Sequence, residues 1–272
     1  MTSQWQSFLR NLGAWRGSFT RISPSGDLVS DTPTLVTFEG LENNKLVKQQ
    51  VFKYPENDPE PPPLVLEYRT LGRNILFFED GAFSIGSMQF SPVSEFGVEL
   101  GSIHGDRRLR LVQLFDTSSN FSSLTLIREF REGSQAEEFP HLTVDRLVGD
   151  WEGRVTTQYP DYREPERFSS RLSIRLDGDT LTQHTQTDSF AFSSTGRVDG
   201  ARILFDSGKT QIAVLLLPDG ASCNVPLTIP RQTPFFLEAG WLVEENLRYR
   251  LIRSYDSTGQ WLGVTQVVER KI

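Results

Sequence analysis

Two Arg-x-Arg pairs are the residues whose type and spacing best fit the binding of an anionic group. Arg108 and Arg110 form the first pair, and Arg248 and Arg250 form the second. Residues two apart on a β-strand share a face, so both guanidinium groups of a pair point the same way. Inside a barrel, such a pair predicts bidentate carboxylate binding. The alternative is a solvent-exposed pair, with the apolar residues between the arginines forming the core side.

Glu238 is the residue that would carry catalysis if the protein is an enzyme. A carboxyl group that lies inside a barrel, beside an arginine, can donate or accept a proton on an oriented ligand. This hypothesis predicts a lyase or isomerase. We favour non-catalytic binding, and the sequence contains no Gly-x-Ser-x-Gly nucleophile motif.

The residues needed for metal or disulfide chemistry are missing. The three histidines are far apart, and no His or Cys pair has metal-ligand spacing. The single cysteine, Cys223, excludes an intramolecular disulfide, which is typical of a reducing compartment. The first residues lack the basic start and apolar core of a signal peptide, and the apolar runs are too short to span a bilayer. We predict no metal, no identifiable cofactor, no membrane insertion and a cytoplasmic location.

Composition indicates a folded protein that does not bind nucleic acid. Of the 272 residues, 37% are hydrophobic and 11% are aromatic, which is too many for a disordered chain. The formal net charge is −7 at pH 7, whereas binding to a phosphate backbone normally requires a basic surface.

The chain is a tandem repeat of two similar halves. Residues 108–130 align with residues 248–270 at an offset of 140 positions. The polar stretch at 131–140 is the predicted linker, so we expect an N-terminal domain at 1–135 and a C-terminal domain at 136–272.

Each half carries the pattern of an antiparallel β-barrel preceded by a short helix. Apolar residues alternate with polar ones, and turn sequences recur at short intervals, which predicts eight or nine strands in each half. Ser3 begins a helix with capping-box spacing that stops at Gly13, and residues 143–149 are its shorter counterpart. The predicted fold class is therefore all-β, with two tandem barrels.

A short helix that leads into Gly-x-Trp on a first strand, followed by a meander of strands, resembles the lipocalin family. The matching residues are Gly13 and Trp15 in the first half and Gly149 and Trp151 in the second. In lipocalins the Trp closes the barrel floor under an arginine from near the last strand, and the resemblance assigns Arg128 and Arg270 to that contact. A tandem pair of this length resembles an uncharacterised family of double lipocalin-like proteins known mainly from cyanobacteria, which implies no assigned activity.

The segment "EAGWLVEENLRYRL" at 238–251 is similar to a segment of the S-type phycobiliprotein lyases, which are single lipocalin-like barrels. The match covers Glu238, Trp241, Asn246, Arg248 and Arg250. In the lyases such residues face inward and hold the carboxylates and pyrrole nitrogens of a bilin. The resemblance therefore implies an inward-facing site for an anionic ligand in the second half.

The leading hypothesis is a lipocalin-like binding protein for a small amphipathic or hydrophobic molecule, namely a tetrapyrrole, a carotenoid derivative or a fatty acid. A barrel of about eight strands has room for one such ligand. The predicted ligand-binding residues are Glu238, Trp241, Arg248, Arg250, Arg108 and Arg110. The second barrel is the favoured site because Ile103 stands near the Trp position in the first copy. A ligand-free interaction protein, with a protein partner, is a further alternative.

Overall fold

The computed structural model describes residues 3–56, 58–206, 208 and 210–272, and in them it is nearly all β. Within those residues the chain forms 19 strands and two short helices, α1 (Gln4–Phe8) and α2 (Val144–Leu147). A short 3-10 turn (Leu9–Asn11) continues α1. The predicted fold class, with a short helix before each half, is confirmed.

The first half is one antiparallel sheet of nine strands that curls without closing. The strands are β1 (Gly13–Ile22), β2 (Leu28–Leu41), β3 (Leu46–Lys53), β4 (Leu64–Tyr68), β5 (Ile75–Phe77), β6 (Phe83–Gly86), β7 (Phe96–His104), β8 (Arg107–Phe115) and β9 (Phe121–Arg131). Strands β4 and β5 form the two edges of the sheet. In the described part of the chain they do not pair with each other. The first half therefore differs from the closed barrel that the sequence predicts.

The side chain of Phe8 on α1 lies at this opening. Its ring centroid is 5.6 Å from that of Tyr68 at the end of β4 and 5.2 Å from that of Phe77 on β5. Proline cannot donate a backbone hydrogen bond, and the segment that leads into β4 contains four prolines between residues 59 and 63. Aromatic packing thus replaces strand pairing where the barrel would close.

The second half is a closed antiparallel barrel of ten strands. The strands are β10 (Gly149–Gln158), β11 (Glu166–Asp177), β12 (Thr180–Gln186), β13 (Ala191–Asp199), β14 (Arg202–Phe205), β15 (Ile212–Leu216), β16 (Ala221–Pro226), β17 (Phe235–Glu244), β18 (Leu247–Tyr255) and β19 (Trp261–Lys271). Strand β10 pairs with both β11 and β19, which closes the sheet.

The two Gly-x-Trp motifs join each helix to the first strand of its sheet. Trp15 Nε1 donates a hydrogen bond of 2.9 Å to the carbonyl oxygen of Asn11, and Trp151 Nε1 donates an identical bond to the carbonyl of Leu147. Gly13 has a φ of 121°, which an L-amino acid with a side chain rarely adopts. The motif therefore turns the chain out of the helix and anchors it through a buried tryptophan.

The halves pack against each other through β7 and β8 on one side and β17 and β18 on the other. Leu109 and Leu111 of β8 share one buried hydrophobic cluster with Leu247 and Leu251 of β18. Both faces of these strands are consequently buried. The outward apolar residues form the contact between the halves, and the alternate residues face the interior of each sheet.

Candidate functional site

Both Arg-x-Arg pairs face the interior of their own sheet. Arg108 is 1% exposed, Arg110 is 8% exposed and Arg248 is 6% exposed, and 20% of the Arg250 side chain is accessible. The alternative of a solvent-exposed pair is excluded because Leu109 and Tyr249, which stand between the arginines of each pair, pack into the contact between the halves. Each pair is neutralised by two glutamates on the neighbouring strands.

In the first half, Glu129 on β9 is the centre of the cluster. It accepts hydrogen bonds from Arg108 Nε at 2.7 Å and from Arg110 Nε and Nη2 at 3.0 and 2.9 Å. Arg110 Nη1 donates to Glu99 Oε1 at 2.6 Å. Every nitrogen of the Arg110 guanidinium therefore has a carboxylate partner.

In the second half, each of the two glutamates pairs mainly with a different arginine. Glu238 on β17 accepts two hydrogen bonds from Arg250, at 2.6 Å from Nε and 2.9 Å from Nη2. Glu269 on β19 pairs with Nε of Arg248 and lies 3.8 Å from Arg250 Nη1. Neither terminal nitrogen of Arg248 donates a hydrogen bond to any of the residues that the structure describes. Those two nitrogens remain able to bind a ligand.

The buried glutamates are held ionised. Burial opposes ionisation of Glu238, yet the neighbouring Arg250 charge and its hydrogen bonds outweigh burial and lower the pKa of that carboxyl. In the same way Arg108 and Arg110 lower the pKa of Glu129 against the effect of burial. Glu238 therefore meets the requirement of lying inside near an arginine, but its lowered pKa opposes a role as a proton donor.

Each signature tryptophan lies under two cationic groups. Arg108 and Arg131 approach the Trp15 ring to 4.5 and 4.4 Å. Arg248 and Lys271 take the equivalent places, with distances of 5.1 and 5.2 Å from the Trp151 ring centroid. Such distances are typical of cation–π contacts. The Arg-x-Arg pairs therefore also form part of the floor of each half.

The assignment of Arg128 and Arg270 to these tryptophans is wrong. Side chains alternate along β9 and β19, so residues that follow or precede the inward glutamates by one position face outward. Arg128 instead binds Glu138 at 2.9 Å and Thr20 at 3.0 Å, and Arg270 is exposed.

Trp241 does not face the interior of a half, unlike the other five predicted ligand-binding residues. It is three positions after Glu238 on β17, which places it on the opposite face of the strand. Its ring is buried between the halves, where Nε1 donates to the carbonyl of Asp219 at 2.9 Å and Arg107 lies 4.9 Å from the ring centroid. The lyase-like segment therefore contributes Glu238, Arg248 and Arg250 to the interior, and Trp241 to the contact between the halves.

The second barrel contains a cavity of about 230 Å³ above its arginine cluster. Among its lining residues are Leu172, Ile174, Leu181, Ile203, Val214, Phe190, Phe192, Phe236, Asn224, Glu238, Arg248 and Arg250. Phe190 and Phe192 are 52% and 58% exposed, so they mark the mouth of the cavity. The Oδ1 atom of Asn224 is buried and has no hydrogen-bond partner among the described residues.

The first half retains a smaller cavity of about 110 Å³. Phe8, Phe38, Tyr68, Phe77 and Phe83 line it together with Glu99, Arg108 and Arg110. The Val144 side chain stands in the second half at the position of Phe8, with the offset of 136 residues that separates the two tryptophans. The larger aromatic side chain therefore fills the interior of the first half.

Three glutamates of the two clusters, Glu99, Glu129 and Glu269, are not among the predicted site residues, although the repeat pattern points to them. Glu129 and Glu269 align at the repeat offset of 140, and Glu99 is retained in the first copy. Their role follows from pairing across neighbouring strands, where Arg108 lies opposite Glu129 and Arg248 opposite Glu269. Asn224 had no comparable signal, because its place at the cavity depends on the pairing of β16 with β17.

Metal-binding clusters and membrane-spanning helices are both absent from the described parts of the chain. No cluster of three or more His, Cys, Asp or Glu side chains there is arranged to hold a metal ion. None of the helices in those parts has the length and apolar character needed to cross a membrane.

Comparison with known proteins identifies the family. A protein of unknown function from the DUF3598 family of Nostoc punctiforme is 44% identical over the full length of both chains, and its crystal structure superposes with a TM-score of 0.94. The chain belongs to the DUF3598 family. Residues 1–134 match the family model described as the N-terminal domain of unknown function DUF3598. Residues 138–272 match a model described as the C-terminal domain of biogenesis factor required for ATP synthase 1.

A more distant similarity is to a phycobiliprotein lyase. An S-type phycobiliprotein lyase from Guillardia theta is 13% identical, with 47% of this chain and 90% of the lyase covered and a TM-score of 0.38. A search of curated proteins gave no match. The Nostoc punctiforme relative and the family model of the first half are both described as being of unknown function.

Proposed function

We propose that the C-terminal barrel of this DUF3598 protein binds one small amphipathic carboxylic acid without transforming it. The observation that carries this proposal is the Arg248 guanidinium, whose two terminal nitrogens have no hydrogen-bond partner among the described residues and which lines an apolar cavity. A carboxylate that accepts hydrogen bonds from both nitrogens satisfies these two donors.

The rest of the cavity suits the apolar part of such a ligand. Its walls combine aliphatic and aromatic side chains, and Phe190 and Phe192 form an aromatic mouth. Asn224 Oδ1 offers a buried acceptor that fits a hydroxyl or a protonated nitrogen on the ligand. Concave apolar sites with a few polar groups are typical of small-molecule binding.

The cavity volume narrows the class of ligand. At about 230 Å³ it is smaller than the roughly 300 to 1,000 Å³ common for ligand pockets. A medium-chain fatty acid or a compact carotenoid-derived acid fits within it, whereas a tetrapyrrole has to extend beyond Phe190 and Phe192. We therefore favour an acid with a single short chain or ring.

A titration with decanoic acid labelled with ¹³C at the carboxylate tests this proposal. We expect a single saturable site, and we expect decanol and decylamine to bind at least about tenfold more weakly because they lack the anionic head group. Arg248→Lys should weaken binding of the acid, since lysine cannot make the bidentate contact. Arg108→Lys is the matched control in the first half and should leave the affinity unchanged. Equal binding of acid and alcohol, or an affinity unaffected by Arg248→Lys, would contradict the proposal.

A second candidate function is assistance in the assembly of a protein complex. The family model that matches the second half takes its name from a biogenesis factor required for ATP synthase. Arg154, Arg171 and Arg270 lie on the outer face of β10, β11 and β19, with Glu152 among them, and Arg154 and Arg270 make no ion pair within the described residues. This basic face suits an acidic protein partner.

Quantitative co-purification from the protein's own cells tests this second candidate. Partners that bind the basic face should be depleted at least about fivefold in the Arg154→Glu/Arg270→Glu variant. Their binding should weaken further at high salt. The variant Arg16→Glu, on the first half, is the control. An identical set of partners for all three proteins would rule out this face as the docking surface.

A further inference from the structure

The cleft between the two halves forms a third pocket, separate from the cavities inside each half. It has a volume of about 310 Å³. One wall is the turn between β5 and β6, with Phe77, Phe78, Glu79 and Asp80. The other wall is the segment between β10 and β11, with Tyr159, Tyr162, Arg163 and Arg167. Ligand sites occur preferentially at such junctions between domains.

Hydrogen bonds between the halves hold the two walls in place. Gln4 Nε2 donates to Gln158 Oε1 at 3.0 Å, and Gln266 Nε2 donates to Asp80 Oδ2 at 2.6 Å. Gln4 also binds the backbone of Phe77 through both atoms of its amide group. The cleft is therefore preorganised, which lowers the entropic cost of binding.

Charge is separated across the cleft. The first-half wall carries the carboxylates of Glu79 and Asp80, whereas the second-half wall carries the guanidinium groups of Arg163 and Arg167. Neither Glu79 nor Arg167 makes an ion pair within the described parts of the chain, and both are exposed. A molecule with a cationic end and an anionic end can satisfy both walls at once.

Aromatic side chains lie on the same wall as Arg163 and Arg167. Arg163 is stacked 3.5 Å from the centroid of the Tyr159 ring, and Tyr162 is 56% exposed. Tyr162 has a φ of 60°, an uncommon conformation for a bulky residue, and such backbone strain is often found at ligand clamps. An exposed ring beside a fixed aromatic wall favours a ligand that has an aromatic ring of its own.

We propose that this cleft binds a small zwitterion that carries an aromatic ring, such as a free aromatic amino acid. The ammonium group contacts Glu79 and Asp80, the carboxylate contacts Arg163 and Arg167, and the ring packs against Tyr162. This site is independent of the carboxylic-acid site in the second barrel, so Arg248→Lys leaves its occupancy unchanged.

Ligand-observed ¹⁹F NMR with three fluorinated indoles tests the proposal. The probes are 5-fluorotryptophan, 5-fluorotryptamine, which lacks the carboxylate, and 5-fluoroindole-3-acetate, which lacks the amine. We expect 5-fluorotryptophan to bind about two- to fivefold more tightly than either of the others, in keeping with exposed ion pairs.

Three variants of exposed residues then assign the contacts. Arg167→Gln should weaken tryptophan and the acetate probe about two- to fivefold but not tryptamine, and Glu79→Gln should weaken tryptophan and tryptamine but not the acetate. Tyr162→Ala should weaken all three, by about fivefold or more. Arg270→Gln, outside the cleft, is the control and should change nothing. Absence of saturable binding of 5-fluorotryptophan, equal affinity for all three probes, or affinities that none of the three cleft variants alters would overturn the proposal.

Discussion

The two halves carry the same arginine–glutamate cluster on the same three strands but differ in what lies above it. In the first half the sheet is open, and Phe8 fills its interior. In the second half the barrel is closed and its cavity is larger, and Val144 aligns with Phe8 in the repeat. The same cluster is present in both halves, so on the proposed function the packing above it, to which Phe8 contributes in the first half, decides which half holds a ligand.

The largest expected effect is a loss of unfolding free energy when the central glutamate of a cluster is replaced, and it should differ between the two halves. Glu129 accepts three hydrogen bonds from two arginines, and Glu129→Gln leaves two buried guanidinium groups without their main carboxylate. We expect the free energy of unfolding to fall by about 4 kcal/mol, as for other broken buried ion pairs. Glu269→Gln should cost about 1 kcal/mol less, because Arg250 keeps its bidentate contact with Glu238. Denaturant unfolding followed by tryptophan fluorescence measures both, and an equal loss would contradict the difference between the clusters.

The next largest effect is expected from a substitution that makes the cavity of the first half resemble that of the second. Phe8→Val removes a ring that is packed against Tyr68 and Phe77, so we expect a loss of about 2 to 3 kcal/mol in unfolding free energy. The enlarged cavity exposes Arg108, whose buried Nη2 has no hydrogen-bond partner among the described residues. We therefore expect the number of bound decanoic acid molecules per chain to rise from one to two. If Phe8→Val leaves this number at one, the side chain at this position is not what closes the first half.

A smaller effect follows from acidification. The pKa of Glu129 and that of Glu238 are lowered in the folded state, so their contribution to stability is fully present above the unfolded value of about 4.3 and is lost as the pH falls through the lowered pKa. Unfolding free energies measured from pH 6 to pH 3 should decline mainly below about pH 4.3. The decline should be shallower in Glu129→Gln, which lacks one of these groups. An identical pH profile for the variant would show that Glu129 does not carry this dependence.

The smallest effect compares the two Gly-x-Trp motifs. A Cβ atom at Gly13 would lie 2.6 Å from Arg131 Nη1, and one at Gly149 would lie 2.7 Å from the Lys271 side chain, both at a left-handed φ. Each Gly→Ala change should cost about 1 to 2 kcal/mol of unfolding free energy. Gly13→Ala should cost the larger amount. Arg131 and Lys271 each donate to a backbone carbonyl at 3.0 Å, but Arg131 also pairs with Asp106 at 3.2 Å. A larger loss for Gly149→Ala in thermal unfolding would reverse this ranking.

Much of the fold could be predicted because its signals are local. The repeat, the period-two strands, the capping box at Ser3 and the two Gly-x-Trp motifs depend on neighbouring residues, and the structure contains them. The capping box, for example, forms through reciprocal bonds of 3.1 and 3.2 Å between Ser3 and Gln6. That the first sheet stays open could not be predicted, since it depends on Phe8 meeting Tyr68 and Phe77 far along the chain.

The candidate site was predicted in part for the same reason. Spacing placed Arg248 and Arg250 on one face, but the choice between interior and solvent required knowledge of how the halves pack. Strict alternation along β17 already separates Trp241 from Glu238, and along β9 it separates Arg128 from Glu129. The resemblance to known barrels outweighed this alternation, and the assignment of Arg128 and Arg270 to the tryptophans was wrong as a result.

Native mass spectrometry of the protein purified from its own cells tests the central claim most directly, namely that only the second barrel holds a small acid. We predict one carboxylic acid per wild-type chain, retained in Arg108→Lys and absent from Arg248→Lys, with all three proteins equally folded. A ligand-free wild type, or a ligand retained in Arg248→Lys and lost from Arg108→Lys, would contradict the account.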